Sequence, residues 1–152
     1  GGGIGGAVLR VAGDGPLRAS VQGPAVESLG RLDRVALRRE LARAWCVVVP
    51  SLAAETFGLV AAEAAMVGVP AVVTRVGGMP EVVEDGVSGL VVEPEAASLR
   101  AALERLLGDE SLRAKLADGA WRGASRFGDD AALSSLLAAY EGARSHRRRR
   151  PD

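Results

Sequence analysis

Two glutamates, Glu55 and Glu63, stand eight positions apart on either side of the tripeptide Phe57-Gly58-Leu59. The apolar run after Gly58 predicts that this loop turns into a helix. The first N–H groups of a helix lack partners and lie at its positive end, so such a loop favours anions. Carboxylates in and after the loop can accept hydrogen bonds from hydroxyl groups. The arrangement suits a ligand with both a phosphate and hydroxyls, as a nucleotide-activated sugar has.

A second glycine motif, Gly77-Gly78, follows a short apolar strand predicted at residues 71–74. Strands and helices alternate along the chain with short connections, which predicts βαβ units and a parallel sheet with helices on both faces. Ligands bind at the carboxyl ends of the strands in such α/β sheets. Both glycine motifs lie on that edge, together with the loops at 13–16 and 30–31.

The periodicity of apolar residues predicts five strands, at 7–12, 26–29, 46–49, 71–74 and 90–92. It predicts helices at 33–44, 57–67, 80–84, 96–107, 110–125 and 130–143. Asp33 is the expected N-cap of the first helix. The unbroken apolar run 46–49 is typical of a strand buried on both faces. Its Cys46 is therefore interpreted as a buried strand residue rather than a nucleophile.

The 152 residues suffice for one domain with a single core, predicted over 7–145 between a glycine-rich lead-in, 1–6, and a basic tail, 146–152. Nineteen basic residues offset nineteen acidic ones, so no global charge argues for nucleic acid or a membrane surface. A single cysteine excludes an internal disulfide framework and suits a reducing cytoplasm. No apolar run reaches the roughly 20 residues that span a bilayer, and no secretory signal is recognisable. We therefore predict a cytoplasmic protein.

The two termini carry weaker patterns. Residues 1–6 fit G-x-G-x-x-G, but no strand precedes them and no βαβ unit surrounds them, so a flexible lead-in is expected rather than a dinucleotide site. The tail contains His146 and four consecutive arginines, 147–150. We expect it to be solvated and disordered, with contact to anionic lipid at a membrane surface, or to nucleic acid, as the alternative.

The segment around Glu55 and Glu63 resembles the E-x7-E signature of retaining glycosyltransferases of family 4, also called group 1. Two glutamates at this spacing would by themselves be consistent with a surface acid and a solvated helix face. The resemblance extends in order along residues 7–145, and this series favours the family. The matching segments are Gly13-Asp14-Gly15-Pro16, Leu29-Gly30-Arg31, Pro50-Ser51, Gly68-Val69-Pro70, Gly77-Gly78-Met79-Pro80-Glu81, Asp85-Gly86, Gly89-Leu90-Val91 and Pro94.

The resemblance implies a fold and a set of site residues. The family has the GT-B architecture of two Rossmann-like halves, and this chain resembles the C-terminal, donor-binding half. Glu55 would be the catalytic residue, lying against the donor sugar as nucleophile or electrostatic stabiliser, two roles that stay open. Glu63 would accept the ribose hydroxyls. The donor-binding residues implied are Thr56, Phe57, Gly58, Leu59, Glu63, Arg31, Gly77 and Gly78, with the backbone amides of 57–59 on the diphosphate.

Arg31 would border the nucleobase, and Gly77 and Gly78 would help to close the sugar-phosphate site. The structural alternatives are that Arg31 only belongs to a turn and that the two glycines form a plain strand-to-helix turn. The implied donor is a UDP-, GDP- or ADP-hexose, transferred with retention of configuration and without a metal or other cofactor. The sequence contains no Asp-x-Asp motif or histidine cluster that would chelate a metal.

The sequence departs from the family pattern at its beginning. It contains no N-terminal Rossmann-like half, so we expect that half or a partner chain to complete the cleft, and we expect the isolated chain to be inactive. The opening strand and helix of the C-terminal half are also missing, which predicts a sheet truncated at its N-terminal edge. The competing hypotheses are a non-catalytic nucleotide-sugar-binding fragment or one half of a split protein. An epimerase or phosphorylase of the same fold is a third.

Overall fold

A computed structural model describes residues 4–53 and 57–128 of the chain. Its strands are β1 (Leu9–Ala12), β2 (Val26–Gly30), β3 (Val47–Val49), β4 (Ala71–Thr74) and β5 (Gly89–Val92). All pair in parallel, as predicted. The hydrogen-bonded ladder is divided, however, into a two-stranded sheet, β1-β2, and a three-stranded sheet in the order β3-β4-β5. Alternation along the chain predicts strand direction but does not specify which strands are hydrogen-bonded neighbours.

The helices are α1 (Arg34–Arg43), α2 (Leu59–Met66), α3 (Met79–Val82), α4 (Ala96–Gly108) and α5 (Glu110–Gly123). Short 3-10 turns occupy Ile4–Gly6, Arg18–Ser20 and Ala124–Phe127. The helix predicted at 110–125 thus ends earlier than expected, and its last residues belong to the third of these turns. The helix predicted at 130–143 and the basic tail lie outside the described residues. No helix in the described part of the chain is long and apolar enough to cross a membrane.

Side-chain caps determine where the long helices begin. Asp33 precedes α1 and accepts a hydrogen bond from the backbone N–H of Ala36 at 2.7 Å, which confirms the predicted N-cap. Asp109 caps α5 in the same manner, accepting from the N–H of Leu112 at 2.9 Å. In both cases the carboxylate satisfies one of the N–H groups that the first helical turn leaves without a partner.

The core lies on both faces of the three-stranded sheet. Val73 of β4 packs on one face with residues of α2 and α3, while Val72 packs on the other with residues of α4 and α5. Every residue of β4 is buried, because a neighbouring strand lies on each side and helices cover both faces. The three residues of β3 are only half-buried. The prediction that 46–49 is a strand buried on both faces is therefore wrong, since β3 lies at the edge of its sheet. Cys46, predicted to be a buried strand residue, precedes β3 and is half-buried.

Candidate functional site

The loop between β3 and α2 carries the first predicted motif. Glu55 and Thr56 lie outside the described residues, so their placement stays a prediction. Gly58 precedes α2 as its N-cap with φ +70° and ψ 47°, a left-handed conformation that glycine adopts without a steric penalty. Its carbonyl accepts from the N–H groups of Ala61 at 2.9 Å and Ala62 at 3.2 Å. The helix predicted from residue 57 therefore begins at Leu59, and Phe57 lies just before it.

Gly58 also lies directly against Met79. A Cβ atom at position 58 would be 2.8 Å from the Met79 sulfur and 3.0 Å from its terminal carbon. Met79 is fully buried, so it has little room to move away. The backbone conformation favours glycine at position 58, and any Cβ atom there would force the buried Met79 side chain to shift. Because Met79 directly follows Gly77-Gly78, the structure brings the two predicted glycine motifs together.

The Gly77-Gly78 motif forms the turn from β4 into α3. Gly77 has φ +55°, and Gly78 is the N-cap of α3. Thr74, at the end of β4, is 2 % exposed, and its hydroxyl donates to the carbonyl of Ser51 at 2.6 Å. This hydrogen bond joins the end of β4 to the loop that follows β3. The carboxyl ends of two neighbouring parallel strands are therefore held together where both motifs begin.

Glu63 lies in the middle of α2, between buried alanines, and is itself half-buried. It is the sole charged residue of this helix, whose sequence is LVAAEAAM. Within residues 4–53 and 57–128, no hydrogen bond or ion pair engages its carboxylate. At 1.5 Å per residue, its Cα lies roughly 7–8 Å along the helix from Gly58. A carboxylate that the described residues leave unpaired can accept hydrogen bonds from ligand hydroxyls.

Arg31 follows β2 on the carboxyl edge of the two-stranded sheet. Gly30 before it has φ +66°, and its carbonyl accepts from the N–H of Gly13 at 2.7 Å, which joins the ends of β1 and β2. The Arg31 side chain is exposed and makes no ion pair or hydrogen bond within the described part of the chain. It therefore lies on the predicted edge, but no such interaction joins it to Gly58 or to Gly77-Gly78.

An open cavity of about 300 Å³ lies at the carboxyl end of β1. Its lining includes the glycine-rich loop at 13–16, together with Arg18 and Ser28. The Arg18 Nε donates to the Ser28 hydroxyl at 2.9 Å. The cavity thus belongs to the same sheet edge as Arg31 and not to the start of α2. Among the described residues, no group of three or more His, Cys, Asp or Glu side chains could hold a metal ion.

Two residues that contact the site, Phe127 and Arg126, belong to no motif of the sequence. Phe127, after α5, packs edge-to-face against Phe57, with ring centroids 6.3 Å apart and an interplanar angle of 90°. Arg126 donates a hydrogen bond from Nη2 to the carbonyl of Val82 at the end of α3. These contacts join positions far apart in the chain, so local periodicity and motif spacing contain no signal of them.

Comparison with known proteins identifies the relatives of the chain. Residues 6–122 match the family described as glycosyl transferases group 1. The D-inositol 3-phosphate glycosyltransferase of Salinispora arenicola is 47 % identical over 95 residues, which are 62 % of this chain and 21 % of that protein. An exopolysaccharide phosphotransferase of Streptomyces coelicolor is 40 % identical over 132 residues, 80 % of this chain and 14 % of that protein. The chain therefore spans about a fifth or less of the length of these relatives.

A solved structure supports the fold assignment. Anabaena Alr3699/HepE in complex with UDP-glucose superimposes with a TM-score of 0.75 at 25 % identity, over 90 % of this chain and 41 % of that one. The parallel strands, the helices on both faces of the three-stranded sheet and this structural likeness confirm the expected Rossmann-like α/β fold. The family match covers both glycine motifs and the whole three-stranded sheet. This chain belongs to the family of glycosyl transferases group 1.

Proposed function

We propose that the chain is the donor-binding part of a retaining glycosyltransferase that transfers a hexose from a nucleotide sugar. The observation that carries the proposal is the approach of Gly58, at the start of α2, to Met79, directly after Gly77-Gly78. The Met79 side chain thereby connects two glycine turns at the carboxyl edge of a parallel sheet, where α/β proteins bind ligands. Membership of the family and the UDP-glucose complex of the Anabaena neighbour support this reading.

The backbone of the site binds the diphosphate in this proposal. The amides of Phe57, Gly58 and Leu59 face the phosphates at the positive end of α2. Negative charge grows on the departing diphosphate as the sugar–oxygen bond breaks. Amide dipoles already fixed at the helix start stabilise that charge without reorganising. Gly77 and Gly78 complete the enclosure of the sugar-phosphate from the neighbouring turn.

The side chains position the rest of the donor. Glu63, a half-buried residue, accepts hydrogen bonds from the ribose hydroxyls through its carboxylate. Arg31 borders the nucleobase from the end of β2. Glu55 is the catalytic carboxylate and Thr56 a further donor contact, assignments that come from the resemblance. The acceptor site and the closed cleft are supplied by an N-terminal Rossmann-like half, in the same protein or on a partner chain.

A titration of the nucleotides tests the donor site. We expect UDP, GDP or ADP, alone or linked to a hexose, to bind the chain and to shift the amide resonances of Gly58 and Leu59. Glu63→Gln should weaken nucleotide binding by about 10- to 100-fold, since a hydrogen bond to a charged group contributes about 1.5–3 kcal/mol. Glu104→Gln is the matched control, because Glu104 is an exposed helical glutamate paired with Arg100. Equal affinity in the Glu63 variant and wild type would contradict the ribose assignment.

Transfer must be measured in a protein that also supplies the N-terminal half. There, Glu55→Ala should abolish transfer of a labelled hexose while nucleotide affinity changes little, because Glu55 is assigned to the sugar. Nucleotide binding without transfer in that complete context would favour the alternative, a non-catalytic nucleotide-sugar-binding protein. Epimerisation of the donor, or cleavage of a glycoside by phosphate, would instead indicate an epimerase or phosphorylase of the same fold.

A further inference from the structure

The segment after α5 turns back onto the elements that carry the two glycine motifs. The 3-10 turn Ala124–Phe127 contacts α2, and the Phe127 side chain packs on the core formed by α2, α3 and β4. The Phe127 ring also packs edge-to-face against the Phe57 ring, with centroids 6.3 Å apart, a preferred geometry for aromatic pairs. Phe57 directly precedes Gly58. Phe127 therefore contacts the residue before the N-cap of α2.

The neighbouring residue, Arg126, contacts the other motif. Its Nη2 donates a hydrogen bond to the carbonyl of Val82, the last residue of α3. This carbonyl is one of the groups that the end of a helix leaves without an intrahelical donor. The Arg126 guanidinium also lies 4.7 Å from the centroid of the Phe127 ring. Adjacent residues thus contact α3 and the start of α2, and they also contact each other.

We propose that Arg126 and Phe127 are positioning residues that fix the distance between the start of α2 and the Gly77-Gly78 turn. The inference rests on the proposed function, because that distance matters only if both motifs hold one ligand. Gly58 and Met79 are already in close approach, which sets how near the two turns can come. The Arg126/Phe127 pair prevents them from separating, through Phe57 on one side and Val82 on the other. Neither residue touches the donor in this proposal.

The experiment must separate positioning from simple stabilisation, because Phe127 also packs on the core. Phe127→Leu keeps an apolar side chain in the core but removes the ring edge from Phe57. Arg126→Met keeps the apolar stem but removes the donor to Val82. Arg122→Met is the matched control, since Arg122 is an exposed arginine of α5 that pairs with Asp118. Thermal melts of all three variants report any general loss of stability.

Two readouts decide the outcome in the full chain. The first is the set of backbone amide resonances of Gly58, Gly77 and Gly78 without ligand. We expect Phe127→Leu and Arg126→Met to shift them, and Arg122→Met to leave them unchanged. The second is the affinity for whichever of UDP, GDP and ADP binds the wild-type chain. We expect it to fall about tenfold in each positioning variant and to stay constant in the control.

A double-variant cycle on the same affinity adds a test that a merely structural role would not satisfy. If the Phe57–Phe127 contact transmits the effect, Phe57→Leu combined with Phe127→Leu should weaken nucleotide binding no more than either change alone. Additive losses, or unshifted glycine resonances in both positioning variants, would overturn the inference while nucleotide binding by wild type still supports the proposed function. If the wild-type chain binds no nucleotide, the donor-site proposal fails, and the ligand-free resonances alone decide the positioning claim.

Discussion

The two parallel sheets of the molecule differ in how their strands are buried. All four residues of β4 in the three-stranded sheet are buried, whereas neither β1 nor β2 contains a buried residue. The three-stranded sheet is covered by helices on both faces and contributes to both core clusters. In the two-stranded sheet, charged side chains such as Arg10 and Glu27 pair on the surface. Burial of apolar surface stabilises far more than exposed ion pairs do, so we expect the three-stranded sheet to contribute more to the free energy of unfolding.

The difference also divides the proposed site. The start of α2, Glu63 and the Gly77-Gly78 turn belong to the buried sheet and its helices, while Arg31 follows β2 of the exposed sheet. The groups assigned to the diphosphate and ribose are therefore fixed by the core. The residue assigned to the nucleobase is exposed and makes no ion pair or hydrogen bond within the described part of the chain. A ligand that binds the folded protein stabilises it. Because the core already fixes the buried sheet, a donor that contacts both sheets should stabilise the exposed sheet more.

The largest expected loss of stability comes from adding one methyl group between β4 and β5. A Cβ atom at Gly89 would lie 2.1 Å from the Ala71 carbonyl oxygen and 2.6 Å from a methyl group of Val83. Because backbone atoms cannot yield as a flexible side chain does, Gly89→Ala should lower the free energy of unfolding by about 4 kcal/mol or more. Circular dichroism during thermal or urea unfolding measures this.

Gly15→Ala is the control from the exposed sheet. Gly15 lies in the loop after β1, and a Cβ atom there would meet nothing within 4 Å. We expect its free energy of unfolding to stay within about 0.5 kcal/mol of wild type. Similar losses in both variants would show that the two sheets do not differ as described.

The next largest loss of stability should come from truncating a leucine that packs on the three-stranded sheet, compared with a leucine of the two-stranded sheet. Leu106 of α4 is fully buried against the three-stranded sheet, while Leu9 of β1 is 48 % exposed. Leu106→Ala should lower the free energy of unfolding by about 2–4 kcal/mol, through lost burial and the cavity left behind. Leu9→Ala should lower the free energy of unfolding by less than about 1 kcal/mol. Urea unfolding of the two variants compares them directly, and a larger loss at Leu9 would contradict the assignment of the core.

Cys46 allows a smaller, pH-dependent test at the edge of the buried sheet. Burial raises the pKa of its thiol from 9.0 to about 11, against an opposing effect of the Arg113 charge. Between these pH values the thiol ionises in the unfolded chain but keeps its proton in the folded one. Stability should therefore be unaffected below pH 9 and fall as pH rises toward 11, by on the order of 1–2 kcal/mol.

The control for this prediction is Cys46→Ala. Its free energy of unfolding, subtracted from that of wild type at each pH, removes the contributions of every other titrating group. The difference should be constant below pH 9 and then decline. A difference that stays level up to pH 11 would mean that the thiol ionises equally in both states, and that Cys46 is more hydrated than its neighbours indicate.

Much of the fold could be predicted because its signals are local. Apolar periodicity and glycine breaks predicted β4 at its observed bounds, and Asp33 was recognised as a cap from its residue type and position. The division into two sheets and the half-buried state of β3 depend on lateral neighbours, which no local pattern specifies. At the site, local pattern placed both glycine motifs on the carboxyl edge of the sheet, and the resemblance supplied their donor-binding roles. The left-handed backbone of Gly58 and its approach to Met79 became visible only in three dimensions. The roles of Glu55 and Thr56 stay predictions.

The smallest effect is expected from the ion pairs that join the elements of the exposed sheet. Arg10 of β1 pairs with Glu27 of β2 at 2.8 Å and also with Glu40 of α1. Its hydrogen bond to Glu27, and then the charge of Glu40, raise the pKa of the guanidinium above its ordinary value. These contacts are exposed to water and salt, which weaken them.

Arg10→Gln should therefore lower the melting temperature less than Leu9→Ala does, and only at low ionic strength. Raising the salt concentration should remove the difference from wild type, because screening weakens the same pairs in the wild-type protein. Arg100→Gln, which breaks the exposed pair with Glu104 within α4, is the matched control and should behave alike. The melting temperature of Arg10→Gln, but not that of Arg100→Gln, could stay below wild type in high salt. That result would show that Arg10 joins β1, β2 and α1 by more than screened charge. The exposed sheet would then depend on this arginine, as the buried sheet depends on its core.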